Sequence, residues 1–254
     1  PPSCLRGFFE GVLNLHENRR AKPACALACR MVGINECNLD RDKGRMEDKM
    51  SQQSCVEFVA DVASRSSAPG GGAVAALAGA LGSALCSMAG NFTIGKKRYA
   101  DVEDDVKRLV KEANRLSDEL LELVNADADA FVPLARAYGI PKDDPHRADI
   151  VEAATRNATK PPLAMMHAIC ATIDLLDEME QKCSRMLLSD VGCAATLCFA
   201  ALEAASLNVF VNTTALKDRA FAEHMETQAD HMLSMYRNRA QRIAGSVTDT
   251  IRKG

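Results

Sequence analysis

The chain has 254 residues, 47% of them hydrophobic and 26% charged, with a formal net charge of −3 and a pI near 6.0. That is enough chain for one substantial domain with a real core, and the near-neutral charge gives no electrostatic basis for nucleic-acid or anionic-membrane binding. Most of the ten cysteines, Cys86, Cys170, Cys193 and Cys198 among them, sit inside apolar helical patterns, which points to a reducing, cytoplasmic setting.

Residues 1–50 carry scattered Cys, Pro and Arg and a charged run from Asp40 to Lys49. Apart from a weak helix at Leu5–Leu15 they show no sustained period, and we expect a poorly ordered N-terminal extension ahead of a folded domain at 51–254, with Met46 or Met50 as a possible natural start. No basic region followed by a long apolar core marks a secretory signal. Cys25, Cys29 and Cys37, with His16 nearby, lack zinc-finger spacing and a second ligand pair, so no metal is expected there.

The folded part opens with Ser54-Cys55-Val56-Glu57, which has the form of a capping box and predicts a helix to about Ser64. From Ser66 to Gly95 the chain carries no charged side chain at all. The stretch starts with Pro69-Gly70-Gly71-Gly72 and predicts a helix over about 72–92, in which Ala75, Gly79, Ser83 and Ser87 recur every four residues and give one face of small side chains. It exceeds the ~20 residues that span a bilayer. Ala, Gly and Ser gain little on transfer to lipid, so a buried helix is expected instead of a membrane span. Unpaired N–H groups and the positive end of the helix dipole at the glycine turn offer a place for an anionic or carbonyl group. Thr93 to Tyr99 forms a basic connection containing Lys96-Lys97-Arg98.

From Asp101 a long amphipathic helix is predicted, with Val102, Val106, Leu109, Ala113, Leu116, Leu120 and Leu123 inward. Continued in the same steps, the register puts Asp127 on the core side, followed by Phe131 and Leu134. Pro133 should kink the helix, which ends near Gly139. Asp143-Asp144-Pro145 reads as a cap with proline at the first position of the next helix, and residues 146–159 are helical. Pro161-Pro162 interrupts, and a helix from Leu163 to about Met186 turns Met166, Ile169, Ile173 and Leu176 inward. A second helix of low charge starts at Asp190, with Gly192, Thr196, Ala200 and Ala204 every four residues. Two such helices are expected to pack on each other or on their copies in a second subunit. The last helix, about 218–251, presents Phe221, Met225, Met232, Met235, Ile243 and Val247. No segment alternates like a strand, so the fold class is all-α, an antiparallel bundle.

Asp127 is the residue that carries most chemistry. A carboxylate on an apolar register is desolvated unless paired, and burial raises its pKa toward the range useful for a general acid or base; a structural aspartate satisfied by a lysine or a helix terminus fits the same pattern. Asp129, about two hundred degrees round the helix, faces solvent. Asp190 is a second candidate or simply an N-cap. Asn208 and Asn212, one turn apart, have the donors and acceptors for a heterocycle such as a pterin, or are capping amides. Lys96, Lys97 and Arg98 suit a polyanionic tail or form a solvated loop. His146, His167, His224 and His231 have no metal or triad spacing. The triple glycine lacks the lysine and hydroxyl of a P-loop.

Taken together, several motifs resemble one family. They are 64–76 (Ser-Arg-Ser-Ser-Ala-Pro-Gly-Gly-Gly-Ala-Val-Ala-Ala), Ile94-Gly95-Lys96-Lys97-Arg98-Tyr99, Asn125-Ala126-Asp127-Ala128-Asp129-Ala130-Phe131, Ile140-Pro141-Lys142, Ser189-Asp190 and Leu207-Asn208-Val209. In order and spacing they are similar to the formiminotetrahydrofolate cyclodeaminase and methenyltetrahydrofolate cyclohydrolase family across about 54–251. The resemblance implies an all-α homodimer holding folate in a cleft near the dimer interface. It implies conversion of 5-formimino-tetrahydrofolate to 5,10-methenyl-tetrahydrofolate and ammonia, with Asp127 catalytic. In that setting Pro69, Gly70, Gly71, Gly72, Asp190 and Asn208 would place the pterin, and Lys96, Lys97 or Arg98 would meet a mono- or polyglutamate tail, with no metal. The alternative within the family is the cyclohydrolase reaction. A non-enzymatic helical folate-binding or scaffold protein is the alternative outside it.

Overall fold

Ser54 opens the first helix as its sequence signature predicts: its hydroxyl accepts the Glu57 N–H, and the Glu57 carboxylate accepts the Ser54 N–H. The structure, a computed structural model, describes residues 49–253; the expected extension over 1–48 and its cysteine group lie outside them. Among the described residues there are seven α-helices and no strand: α1 Cys55–Val62, α2 Gly71–Asn91, α3 Glu103–Tyr138, α4 Arg147–Ala158, α5 Lys160–Lys182, α6 Leu188–Thr214 and α7 Arg219–Lys253. The all-α expectation holds.

The five long helices form the bundle, and the small face of α2 decides how closely they pack. A Cβ placed on Gly79 would lie 2.9 Å from Ile169 Cγ1 of α5 and 3.4 Å from Leu120 Cδ1 of α3, and one on Gly82 would lie 2.5 Å from Cys198 Sγ of α6. Helices α3, α5 and α6 therefore converge on the same stripe. Ser83 and Ser87 satisfy their hydroxyls across the α2–α3 seam, donating to the Ala113 carbonyl at 2.8 Å and to Asn114 Oδ1 at 2.6 Å. These contacts set α2 antiparallel to α3 and to α6. Leu109, Leu116, Leu120, Ile169, Ile173 and Leu176 are fully buried in the resulting core, each worth roughly 1.5–3 kcal/mol relative to exposure. Helices α2 and the 185–214 segment are each long and apolar enough to cross a membrane, yet both bury much of their surface in the bundle.

Several boundaries and faces differ from expectation. Helix α6 begins at Leu188 with Leu187 as N-cap, so Asp190 lies in its first turn and caps nothing. Its Gly192, Thr196, Ala200 and Ala204 face is half or fully exposed, and Val191, Ala195, Cys198, Leu202, Ala205 and Val209 take the core. Burying Val and Leu removes more apolar area than burying Gly and Ala, which decides the rotation. In α3 the buried register passes through Val124 instead of Leu123. That helix ends at Tyr138 with Pro133 inside it, as expected. His146, not Asp144, is the N-cap of α4, and Asp144 accepts the His146 N–H in a local turn. Pro161 and Pro162 occupy the first positions of α5, where their missing N–H groups are harmless. Met235 on α7 is 49% exposed.

Candidate active site

Seven residues along α2 from Gly79, and seven along α3 from Leu120, lead to Gly72 and Asp127. Equal steps on two antiparallel helices keep partners level, so the Asp127 carboxyl arrives against the first turn of α2. The fit is close: a Cβ on Gly72 would lie 2.5 Å from both Asp127 oxygens and 2.6 Å from Cγ. Only glycine leaves room for the carboxylate here. The Ala73 backbone N–H donates to it.

Two effects oppose each other at this carboxyl. Desolvation by burial pushes the pKa up, the Ala73 N–H pulls it down, and the balance is a value raised from 3.8 to about 6. Burial dominates. Asp129 is exposed, as its angular position on the helix predicts, so the two neighbouring carboxylates have different environments.

The glycine turn forms the second wall. Pro69 is buried while Gly70 and Gly71 are exposed; Gly70 is the N-cap of α2, and no side chain caps it. Asn208 of α6 packs against Gly71, its amide 3.6 Å from where a Cβ would start, and donates to the Ala204 carbonyl at 2.8 Å. Asn212 instead donates to the Ala158 carbonyl and ties α6 to the end of α4. Turn, acid and amide thus come from three helices and meet at one end of the bundle.

Lys96, Lys97, Arg98 and Asp190 do not join them within one chain. The basic loop follows the far end of α2, about 30 Å away along a 21-residue helix. Asp190 and Asn208 are about 27 Å apart along α6. At the far end Lys96 Nζ donates to Ser184 Oγ at 3.0 Å, the Ser184 N–H to Thr93 Oγ1 at 2.8 Å, and the Arg185 N–H to the Tyr99 hydroxyl at 3.1 Å. The described residues contain no group of three or more His, Cys, Asp or Glu placed to hold a metal ion.

Sequence reading placed an anionic group at the unpaired N–H groups of this turn but did not see that Asp127 itself is the group the Ala73 N–H meets, nor the role of Gly72, which appears only once α2 and α3 are paired. It also passed over the clamp beside the acid. Asn125 accepts the Ser51 N–H at 3.1 Å and donates to Ser51 Oγ at 2.9 Å, holding the segment before α1 to α3 two residues from Asp127.

The formiminotransferase-cyclodeaminase family profile matches residues 54–231. A methenyltetrahydrofolate cyclohydrolase from Methylorubrum extorquens is 38% identical over 70% of this chain and 87% of its own. A formimidoyltransferase-cyclodeaminase from Rattus norvegicus is 31% identical over 79% of this chain, which spans only 38% of that longer protein. The crystal structure of a formiminotetrahydrofolate cyclodeaminase from Thermotoga maritima superposes with a TM-score of 0.73, at 28% identity, over 79% of this chain and 98% of that one.

Proposed function

This chain belongs to the formiminotransferase-cyclodeaminase family, and from that membership we propose that it is a folate-dependent one-carbon enzyme, a cyclodeaminase acting on 5-formimino-tetrahydrofolate. The observation that carries the reading is the Asp127 carboxyl, half-buried against Gly72 and raised to about 6. In this reaction N10 of the folate attacks the formimino carbon bound to N5, and the C–N bond to the former imine nitrogen breaks. That nitrogen must leave as ammonia, so it needs a proton at the moment of departure. An acid of raised pKa beside the carbon supplies it. Asp127 is that donor; the glycine turn and the Asn208 amide hold the heterocycle beside it.

The relative named as a cyclohydrolase supports a second reading, in which water adds to the methenyl carbon and 10-formyl-tetrahydrofolate results. The two are separated by incubating the protein with each folate and following the methenyl chromophore. Its appearance from the formimino substrate supports the deaminase; its loss from the methenyl compound supports the hydrolase. No change with either leaves a non-enzymatic folate binder.

The active form is a homodimer. Val74 and Leu81 of α2 and Phe92 just past its end are 40%, 52% and 60% exposed, and Leu207 and Val211 of α6 are 67% and 45% exposed. They lie on the outer sides of two packed, nearly uncharged helices, next to the exposed small residues Thr196 and Ala200. A two-fold axis across this face sets large side chains of one copy on small ones of the other. Antiparallel pairing is also the arrangement through which Lys96, Lys97, Arg98 and Asp190 of one chain could approach the glycine turn of the next. Leu207→Glu should give a monomer by light scattering; an unchanged mass would count against this face.

A further inference from the structure

Outside the site described above, α3, α4, the start of α5 and the start of α7 border an open surface recess of about 520 Å³. Its apolar lining is Pro133, Ala153, Ala154 and Phe221; its polar lining is Arg156, Asn157 and Lys160. Among the described residues no carboxylate lines it directly. The guanidinium of Arg156 lies over the Phe221 ring at 4.3 Å and is fixed by a 2.7 Å bond to Asp218, the residue that also accepts the Phe221 N–H at the start of α7. Lys160 is exposed and, among the described residues, hydrogen-bonds a neutral amide, Asn157 Oδ1, at 3.1 Å. A flat apolar wall with Lys160 and the Asp218-paired Arg156 on one rim is complementary to a carboxylate carried behind an aromatic ring.

Along the bundle axis the recess lies just past the candidate acid. Pro133 is about 9 Å beyond Asp127 along α3. From the other side Asn212, one turn past Asn208, bonds the carbonyl of Ala158, next to Asn157. The basic loop at Lys96 to Arg98 is about 30 Å from the same acid within the chain.

Resting on the folate reading, we infer that this recess holds the γ-glutamyl tail of the substrate, with Lys160 and Arg156 as its cations, in the same chain as the Asp127 that acts on the other end. Arg156 also braces the start of α7, so its removal would confound folding with binding. Lys160 makes no such brace and is the residue to change.

The test compares Lys160→Gln with Lys97→Gln on two readouts: KM for mono- and pentaglutamylated substrate, and calorimetric affinity for p-aminobenzoyl-pentaglutamate, which has no reacting carbon. An exposed charge contact of this kind is worth about a two- to fivefold change. Lys160→Gln should raise KM for the pentaglutamate by about that factor more than for the monoglutamate, and weaken the pterin-free tail alike. If Lys97→Gln carries both losses and Lys160→Gln neither, the recess is not the tail site. If the pterin-free tail binds wild type and loses affinity in Lys160→Gln while no folate turns over, the recess stands and the enzymatic reading fails. If folates turn over and Lys160→Gln changes neither readout, the enzyme reading stands and the recess assignment is wrong.

Discussion

The two ends of α2 use polar groups in opposite ways. At the far end Thr93, Ser184, Lys96 and Tyr99 hydrogen-bond one another and nearby backbone, and Thr93 and Ser184 are 1% and 4% exposed. At the glycine end a carboxylate is pressed against backbone with one N–H and substantial desolvation. A satisfied polar cluster holds helices together and leaves nothing to react; an under-solvated acid holds its proton up to about pH 6, well above an ordinary aspartate, and can transfer it.

The strongest way to break that contrast is Asp127→Asn, which keeps the shape and removes the proton. General acids contribute roughly a hundred- to ten-thousand-fold, and turnover should fall by that much while the fold is retained by circular dichroism. In the wild type the protonated form is the active one, so kcat/KM should be level below about pH 6 and fall about tenfold per unit above it. A rise through pH 6 would instead mark Asp127 as a base toward water and favour the hydrolase reading.

Gly72→Ala tests whether position, and not only the presence of the acid, matters. The added Cβ would sit 2.5 Å from both carboxylate oxygens, so Asp127 must turn away from the Ala73 N–H. Displacements of about an ångström cost about a hundredfold in rate. We expect a drop of that order in kcat, with a smaller loss of stability of roughly 1–3 kcal/mol from the overpacking. Unchanged kcat would mean that the carboxyl position seen here is not the working one.

The same acid leaves a trace in stability. Its folded pKa is raised from 3.8 to about 6. Below pH 3.8 it is neutral in both states. Between those values the unfolded chain ionises first, so stability falls as pH rises, and above about 6 the whole penalty is present. With solvent reaching part of the group, the penalty is on the order of 1–2 kcal/mol. Asp127→Asn should therefore gain that amount over wild type in urea unfolding at about pH 8 and gain nothing at about pH 4. An equal effect at both pH values would show that the carboxyl is not desolvated.

Asp127 was legible because the apolar steps of α3 stay regular as far as Leu120 and a carboxylate then falls on the same side. Its partner was not, because the pairing of Gly72 with Asp127 depends on how α2 lies on α3, and no local pattern records that. On α6 the sequence left two packings open, against α2 or against a second copy, for a related reason. A four-residue repeat of small side chains marks a surface that permits close approach, but the stripe through Val191, Cys198, Leu202 and Val209 has more apolar area to bury and determines the rotation. The distance between Lys96 and Asp127 was likewise invisible, since Lys96 precedes α3 and Asp127 lies far along that helix, at the opposite end of the bundle.

The smallest predicted effect concerns the far end. Thr93 Oγ1 donates to the Ala89 carbonyl and accepts the Ser184 N–H, so Thr93→Val removes both bonds while nearly preserving shape, and it leaves a buried donor unpaired. That costs about 1–3 kcal/mol. In a domain of about 200 residues each kcal/mol lowers Tm by about 2–4 °C, so the loss should be measurable by thermal unfolding. Turnover per folded molecule should change by less than about twofold, because Thr93 lies about 30 Å from Asp127 along α2. A larger rate effect without the Tm shift would mean that the far end takes part in the chemistry. Within one chain, at that distance, it has no route to the reacting carbon. The effect would have to come through a second copy, with its Thr93 end set against this chain's glycine turn.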